Sequence, residues 1–329
     1  MKHRGLLLIP LIVSLMTSCG KKMNSQEIYD KESSGVVLIV NDFYYSAKIG
    51  GLEVYFSGVN SEGDIEDFTS SEEEIKENCS GCTGTGFFIS EDGQIMTNRH
   101  VVSPNLDKDA VRKELRLALK ESFEEKKKEL TSLFNQYEGN DAAQQQIYED
   151  WKIYKDAYDT IDNMSISDIV ITTHSELYII YNDQHVVKYE DLTPCFTVAV
   201  SEDENIDLAI IQLKDGETPE GTHIFSLHSE EDDDLEMGQK LFMIGFNEGG
   251  KIAKTTQGYR SQMYDGKVTQ KSDGEQVLYS IASLPGSSGS PIIDEYGYLV
   301  AVNYAGLSNT QNFNYGIPAR LVRQFLNEN

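Results

Sequence analysis

The chain has 329 residues, of which 54 are acidic and 28 are basic, so its formal net charge is −26 at pH 7. So acidic a protein repels nucleic acids and anionic membrane surfaces, which argues against both as charge-driven partners. The acidic runs at 72–74 and 230–234 could bind calcium, but such runs are more typical of solvated loops. We predict no metal site and no cofactor.

The N-terminus has the pattern of an export signal. Basic residues precede an apolar run at 5–16 that is too short to span a membrane as a helix. Cys19 follows small residues, in an arrangement that resembles a bacterial lipoprotein processing site with Cys19 as the lipidated residue. We expect a signal peptide at 1–18, a polar tether at 19–34 and a lipoprotein anchored in the cell envelope, on its periplasmic or outer-surface face. An ordinary signal peptide or an inner-membrane anchor is the alternative.

The segment before residue 103 is predicted to contain the first β-strands of the chain. One covers 35–40, and the stretch 41–78 contains strand-like patches in an acidic loop. The segment 84–102 then predicts a strand, a turn and a second strand that ends at His100. A lone histidine beside valines is usually structural, so the meaning of His100 depends on the rest of the chain.

Three cysteines remain once Cys19 is set apart, namely Cys79, Cys82 and Cys195. Outside the cytoplasm one disulfide can form among them, which leaves the third free or bonded to another chain. Cys79 and Cys82 also have the spacing of redox and zinc sites, but no second pair completes a metal site. We expect this pair to be structural.

Residues 107–163 predict a pair of helices. Apolar side chains recur there at spacings of three and four residues, as in the seam between two amphipathic helices. The two stripes are Leu115, Leu119, Phe123, Leu130 and Tyr137, and then Ile147, Trp151, Tyr154, Tyr158 and Ile161. A turn at 138–141, with Asp141 as the N-cap of the second helix, would join them into an antiparallel hairpin.

Two later segments place a polar residue at the end of an apolar strand. Asp207 comes directly before the apolar run 208–213, where an aspartate is usually a turn residue. Ser288 lies in Gly-Ser-Ser-Gly-Ser-Pro at 286–291, where glycines on both sides permit a tight turn that exposes its hydroxyl. The N–H groups of Gly286 and Ser288 could point into one small space, in which an oxyanion would form. Taken alone, the segment could equally be a glycine- and serine-rich hairpin.

The order His100, Asp207, Ser288 is that of the chymotrypsin catalytic triad. Three segments resemble the signatures of chymotrypsin-fold bacterial serine proteases, closest to the HtrA-like and staphylococcal glutamyl-endopeptidase branches. These segments are Thr-Asn-Arg-His-Val-Val at 97–102, Asp-Leu-Ala-Ile-Ile at 207–211 and Gly-Ser-Ser-Gly-Ser-Pro at 286–291. The resemblance implies an all-β fold of two antiparallel β-barrels, with the active site in the cleft between them.

The resemblance also implies a role for each residue. Ser288 would attack the scissile carbonyl, and His100 would accept its proton and later donate it to the leaving amine. Asp207 would hold the imidazole in the correct tautomer. The oxyanion hole would be formed by Gly286 and Ser288. The protein is therefore expected to be a serine endopeptidase that acts on peptides or proteins.

In this fold the primary specificity pocket is built from residues just before the nucleophile and on a later strand. The corresponding candidates here are Ser283, Asn303, Tyr304 and Ala305. None of them is acidic, so specificity for Lys or Arg is not expected. Asn303 also stands where glutamate-specific relatives have a histidine. We predict cleavage after a small or medium apolar residue.

The predicted domains are a first barrel at 35–215, with the helical hairpin inserted at about 105–165, and a second barrel with a short C-terminal helix at 216–329. The chain ends soon after the second barrel, so the PDZ domain usual in HtrA-like proteins is not expected. The hairpin would border the leaving-group side of the cleft and could receive a regulatory partner, or it could be a surface ornament. An inert protease-fold binding module and a partner-activated protease are the alternative functions.

Overall fold

The computed structural model describes residues 21–203, 205–227, 235–306 and 314–329. The first half contains β1 (Val36–Ile49), β2 (Leu52–Phe56), β3 (Gly58–Val59), β4 (Ile65–Glu66), β5 (Ser80–Phe88), β6 (Gln94–Thr97), β7 (Val170–Tyr181), β8 (Thr193–Val200) and β9 (Ala209–Leu213). The second half contains β10 (Lys240–Gly245), β11 (Lys254–Thr255), β12 (Gly258–Tyr259), β13 (Gln262–Gln270), β14 (Val277–Tyr279), β15 (Pro291–Ile293), β16 (Leu299–Gly306) and β17 (Asn314–Pro318).

The helices, in chain order, are α1 (Ser25–Glu32), α2 (Glu72–Glu77), α3 (Arg99–Val102), α4 (Lys108–Gln136), α5 (Asp141–Asn163), α6 (Gly250–Ala253) and α7 (Ala319–Glu328). Within the described ranges, none of them is both long and apolar enough to cross a bilayer.

Six antiparallel strands close the first barrel in the order β1-β5-β6-β9-β8-β7, because β7 pairs back with β1. Side chains alternate along β1 with the two-residue period of a strand. Val37 and Ile39 point into the barrel interior, whereas Val36 and Leu38 join a core that includes residues of the second barrel. One strand therefore contributes to both the barrel core and the junction between the barrels.

The second barrel is also closed and antiparallel, in the order β10-β13-β14-β17-β16-β15. Its interior is filled by side chains such as Leu241, Val268 and Ile292. Helix α7 follows the last strand, and Val322 and Phe325 pack into the core between the barrels. The prediction of two antiparallel barrels with a helical insertion and a C-terminal helix is confirmed.

The prediction of a polar tether at 19–34 is wrong in detail. The segment predicted as a tether contains α1, which begins with a capping box between Asn24 and Glu27 and buries Ile28 completely. The N–H of Met23 donates to the carbonyl of Glu295, at 2.7 Å, which fixes the helix start to the second barrel. Ile28 and Tyr29 are the only large hydrophobic residues of α1, too few to give the periodic signal of a docked helix.

The first strand is longer than the sequence predicts. β1 continues past residue 40 to Ile49, and β2, β3, β4 and α2 also lie in the stretch predicted as acidic loop with strand-like patches. The polar residue Asn41 interrupts the apolar run but is buried, and its Nδ2 donates to the carbonyl of Val101 at 2.9 Å. The second half of β1 buries Phe43 and Tyr45 against the inserted hairpin.

Helices α4 and α5 form the predicted hairpin. Leu115, Leu119 and Phe123 are buried against the first barrel, so the half of the hairpin nearest the barrel is part of its core. Two details differ from the prediction. Asn140, rather than Asp141, is the N-cap of α5, because its side chain accepts from the N–H at position 143. Tyr137 is exposed, since it lies beyond the end of α4.

Candidate active site

His100 lies in the short helix α3, directly after β6. The pairing of β6 with β9 brings Asp207, two residues before β9, beside this helix. His100 Nδ1 lies 2.6 Å from Asp207 Oδ2, and the backbone N–H of His100 donates to Oδ1 at 3.0 Å. A carboxylate can only accept, so Nδ1 carries the proton and Nε2 is left able to accept one. Asn98 fixes the aspartate further, because its Nδ2 donates to the carbonyl of Asp207 at 2.8 Å.

Ser288 lies in a tight turn between β14 and β15 of the second barrel. Gly289 in this turn has φ +85°, and a Cβ there would lie 2.5 Å from Thr97 Oγ1 and still closer to the carbonyl oxygen of Thr85. Only glycine permits so close an approach. The contact brings the turn against the end of β6, three residues before His100. The structure therefore places all three predicted triad residues at the junction of the two barrels.

The hydroxyl of Ser288 is partly exposed and, within the described chain, makes no hydrogen bond to His100 or to any other group. Catalytic hydrogen bonds are often long without substrate and shorten when the complex forms. Of the two hydrogen bonds expected in a triad, the structure thus shows the one between histidine and aspartate.

Every carbonyl of the turn 285–288 accepts a hydrogen bond that fixes its direction. Pro285 O accepts from Glu248 N at 2.6 Å, Gly286 O from Thr85 Oγ1 at 2.8 Å, Ser287 O from Asn303 Nδ2 at 2.9 Å and Ser288 O from Thr85 N at 2.8 Å. The peptide bonds are trans, so each N–H points opposite to the carbonyl of its own peptide unit. The N–H of Gly286 consequently points away from Glu248 N, and the N–H of Ser288 points away from Asn303 Nδ2.

Neither of these two N–H groups has an acceptor among the described residues. Backbone donors fixed in this way can stabilise an oxyanion when both of them point at it. Gly286 has φ +91°, and a Cβ there would lie 2.5 Å from the backbone nitrogen of Gly249. The predicted oxyanion residues therefore occupy a conformation that a larger residue at 286 could not adopt without moving the neighbouring backbone.

Asn303, predicted in the specificity pocket, lies beneath the turn. It is only 1% exposed. Its Nδ2 donates to the Ser287 carbonyl at 2.9 Å and to Ser283 Oγ at 3.1 Å, and its Oδ1 accepts from the Tyr279 hydroxyl at 2.7 Å. Burial raises the pKa of Tyr279 well above its usual range, so this hydroxyl remains a donor. The amide of Asn303 is thus occupied by the protein itself.

The other pocket candidates are placed as follows. Ser283 is partly exposed, and its Oγ lies 2.8 Å from Ser287 Oγ. Tyr304 is partly buried, and burial together with the nearby Tyr315 and Asp207 raises its pKa. The backbone of Ala305 is paired in β16, whereas its side chain lies outside the described part of the structure. The specificity pocket stays a prediction.

The remaining predictions concern the cysteines and a possible metal site. The three cysteines within the described ranges are free thiols, and Cys19 lies outside those ranges. Cys79 and Cys82 span the start of extended β5, where three residues cover about 10 Å, too far for a disulfide without bending the strand. Burial raises the pKa of Cys82 to about 11 and that of Cys195 to about 12, so both thiols are unreactive. No His, Cys, Asp or Glu cluster in the described ranges could hold a metal ion.

Thr85 is a residue that the sequence analysis missed. It contacts both Gly286 and Ser288 through hydrogen bonds, although it lies in β5 of the first barrel. The available signal is a buried hydroxyl residue between two glycines, at 84 and 86, inside an apolar strand. Such a pattern marks a close backbone approach, but it does not say which segment approaches.

Comparison with known proteins agrees with this geometry. Residues 168–302 match the family model described as the trypsin-like peptidase domain. The match covers less than half of the chain. The matched range includes Asp207 and Ser288 and begins after His100.

A solved structure, the serine endoprotease from Yersinia pestis, is similar over 93% of this chain, with 10% sequence identity and a TM-score of 0.48. The chain spans 66% of that protein's length, just under two thirds. The fold is established by the strand pairings described above rather than by this similarity. No curated protein matches the sequence.

Proposed function

We propose that the protein is a serine endopeptidase that hydrolyses peptide bonds through His100, Asp207 and Ser288. The observation that carries this proposal is the nucleophile turn, whose carbonyls are all anchored while two of its N–H groups are left without an acceptor in the described chain. An inert scaffold has no use for such an arrangement, because unpaired backbone donors contribute nothing to stability.

The proposed reaction assigns one step to each of these groups. His100 Nε2 takes the proton of Ser288 as Oγ attacks the substrate carbonyl, and Asp207 stabilises the imidazolium that forms. The N–H groups of Gly286 and Ser288 stabilise the oxyanion of the tetrahedral intermediate. The imidazolium then protonates the leaving amine, which gives an acyl-enzyme, and water releases the acyl group by the same steps.

We propose a primary pocket for a small or medium apolar side chain. The candidates Ser283, Asn303 and Tyr304 carry no charge to pair with a basic residue, and the Asn303 amide already donates to protein acceptors. A panel of fluorogenic peptides that differ only at the residue before the scissile bond tests this. Strict cleavage after Glu, Lys or Arg would contradict it.

We propose that the protein is exported and held in the cell envelope by lipid on Cys19. The contact of Met23 with Glu295 would leave only a few residues between the lipid and the second barrel. This barrel would then lie close to the membrane surface. Metabolic labelling with an alkyne fatty acid tests the proposal, since Cys19→Ser should abolish the label.

The outer half of the helical hairpin is the proposed surface for a regulatory partner or for substrate. It lies beyond the segment that packs on the first barrel, and it exposes Leu133 and Tyr148. Replacement of 131–146 by a short glycine-rich turn should leave the fold intact. Equal rates on peptides and on folded proteins before and after this replacement would show that the outer half is an ornament.

A partner-activated or inert protease-fold module is the second candidate function. The observation that favours it is the missing hydrogen bond between Ser288 Oγ and His100. Digestion of an unfolded protein substrate by purified residues 23–329 separates the possibilities. Hydrolysis that is lost in Ser288→Ala, with an unchanged melting temperature, supports the protease. No hydrolysis by the folded wild-type protein would favour the module.

A further inference from the structure

Thr85 is wholly buried at the junction between the barrels, although it belongs to the first one. It lies in β5 between Gly84 and Gly86, whose missing side chains make room for Val101 and Ile95 inside the barrel. Since strand side chains alternate, Thr85 points the other way, toward the second barrel.

The side chain of Thr85 hydrogen-bonds two segments of the second barrel. Its hydroxyl donates to the carbonyl of Gly286 at 2.8 Å and accepts from the N–H of Phe246 at 3.0 Å. A hydroxyl has a single proton and can also accept, so one side chain serves both partners at once. A carboxylate or a carbonyl group could not donate to Gly286, and an amine could not accept from Phe246.

The backbone of Thr85 adds two further hydrogen bonds. Its N–H donates to the carbonyl of Ser288 at 2.8 Å, and its carbonyl accepts from Thr97 Oγ1 at 2.8 Å. Thr97 lies at the end of β6, directly before the segment that carries His100. Thr85 is therefore bonded to the turn of the nucleophile on one side and to the strand leading to the histidine on the other.

We propose that Thr85 is a positioning residue whose hydroxyl fixes the oxyanion turn and makes its assembly depend on the docking of the two barrels. The inference rests on the proposed protease function. The carbonyl of Gly286 belongs to the peptide unit that joins Gly286 to Ser287. The hydrogen bond from Thr85 therefore fixes the orientation of the backbone between the two oxyanion donors. Without the Thr85 hydroxyl, this carbonyl and the Phe246 N–H would both be buried without a partner. The peptide units of the turn would rotate to find other partners for these two groups. This rotation would move the N–H groups of Gly286 and Ser288 away from the oxyanion.

The test compares Thr85→Val, which keeps the shape and removes the hydroxyl, with Thr85→Ser, which keeps the hydroxyl. Thr218→Val is the matched control. The Thr218 hydroxyl also donates to a backbone carbonyl, that of Ser90, at 2.7 Å, and accepts from a backbone N–H, that of Gly93, at 3.0 Å. Thr218 follows β9 and bonds the turn between β5 and β6 rather than the turn that carries Ser288, so it controls for the general loss of a bridging hydroxyl.

We expect Thr85→Val to lower kcat about 10- to 100-fold, which is less than the loss of a whole oxyanion donor because the effect is indirect. KM should change by less than about 3-fold, since the oxyanion contacts matter in the transition state more than in the bound substrate. Thr85→Ser should restore most of kcat, and Thr218→Val should leave it unchanged. A kcat in Thr85→Val within about 3-fold of wild type would overturn the proposal.

Amide hydrogen exchange of peptides covering 284–290 provides a readout that does not need activity. Exchange there should be faster in Thr85→Val than in wild type, and unchanged in Thr218→Val. Unchanged exchange in Thr85→Val would overturn the inference even in an active enzyme. If the wild type is folded but inactive, the proposed function fails, and the exchange comparison still decides whether Thr85 holds the turn. If Thr85→Val does not fold, Thr85→Ala against Thr85→Ser gives the same comparison.

Discussion

Substitution of Gly286 by alanine tests the oxyanion hole at its most constrained position. The residue has φ +91°, and an added Cβ would lie 2.5 Å from the backbone nitrogen of Gly249 and still closer to the carbonyl oxygen of Phe246. Both neighbours are backbone atoms, so they cannot turn aside as the end of a side chain could. The turn itself has to move.

Two effects contribute to the expected loss. An alanine in the left-handed region costs about 1–2 kcal/mol of stability. Displacement of one oxyanion donor raises the barrier of the chemical step by about 2.7–4 kcal/mol, which corresponds to a kcat lower by about 10²–10³. The first effect lowers the melting temperature, whereas the second appears only in catalysis.

Gly139→Ala is the matched control. Gly139 has φ +88°, nearly the same as Gly286, but no atom lies within 4 Å of its Cβ position. Gly139→Ala should therefore lose only the stability that the left-handed backbone costs an alanine, and no activity. The assay is kcat on a fluorogenic peptide, with thermal unfolding of each variant. If Gly286→Ala kept its kcat within about 3-fold of wild type, the oxyanion assignment would be refuted.

Three further predictions follow from the same structure. Asp207→Asn should lower kcat by about 10⁴-fold, because an amide can donate to His100 Nδ1 and hold the wrong tautomer; a loss below tenfold on the same peptide would contradict the assigned role. Leu115→Ala should cost about 2–5 kcal/mol in urea unfolding, since Leu115 is wholly buried between the hairpin and the first barrel. The same substitution at Leu133, which is 37% exposed in the same helix, should cost less than about 1 kcal/mol; equal costs would show that the hairpin does not belong to the core. Finally, burial raises the pKa of Cys195 from 9.0 to about 12, so the unfolded chain ionises first as the pH rises. The contribution of this thiol to the free energy of unfolding is full below pH 9.0 and is lost progressively toward pH 12. In Cys195→Ala, the free energy of unfolding measured in urea should therefore fall less steeply over that range. An unchanged slope would argue against the burial of the thiol.

The barrels, and the three triad candidates at their junction, could be predicted because their signals are local. His100, Asp207 and Ser288 each lie at the end of an apolar strand, and the glycines around Ser288 appear beside it in the sequence. The hairpin could be predicted for the same reason, since its apolar stripes repeat within each helix. The N-cap differed by one residue, Asn140 for Asp141, because both side chains are good caps and only the backbone geometry distinguishes them.

What could not be predicted depends on contacts between segments distant in the chain. Thr85 acts on a turn that lies about two hundred residues later, and nothing near it in the sequence indicates that contact. Asn303 looks like a pocket residue from its position, but its amide is used beneath the turn. Helix α1 is held by a single buried isoleucine and by contacts with the second barrel, which a polar sequence does not reveal.

Reaction of purified residues 23–329 with a fluorophosphonate probe, with the adduct located by mass spectrometry, tests the central claim most directly. Ser290 is the matched control, because it is buried in the same segment while Ser288 is partly exposed. We predict one adduct on Ser288, lost in Ser288→Ala and retained in Ser290→Ala. A folded wild-type protein that gives no adduct, or an adduct that persists in Ser288→Ala, would contradict the assignment of Ser288 as the nucleophile.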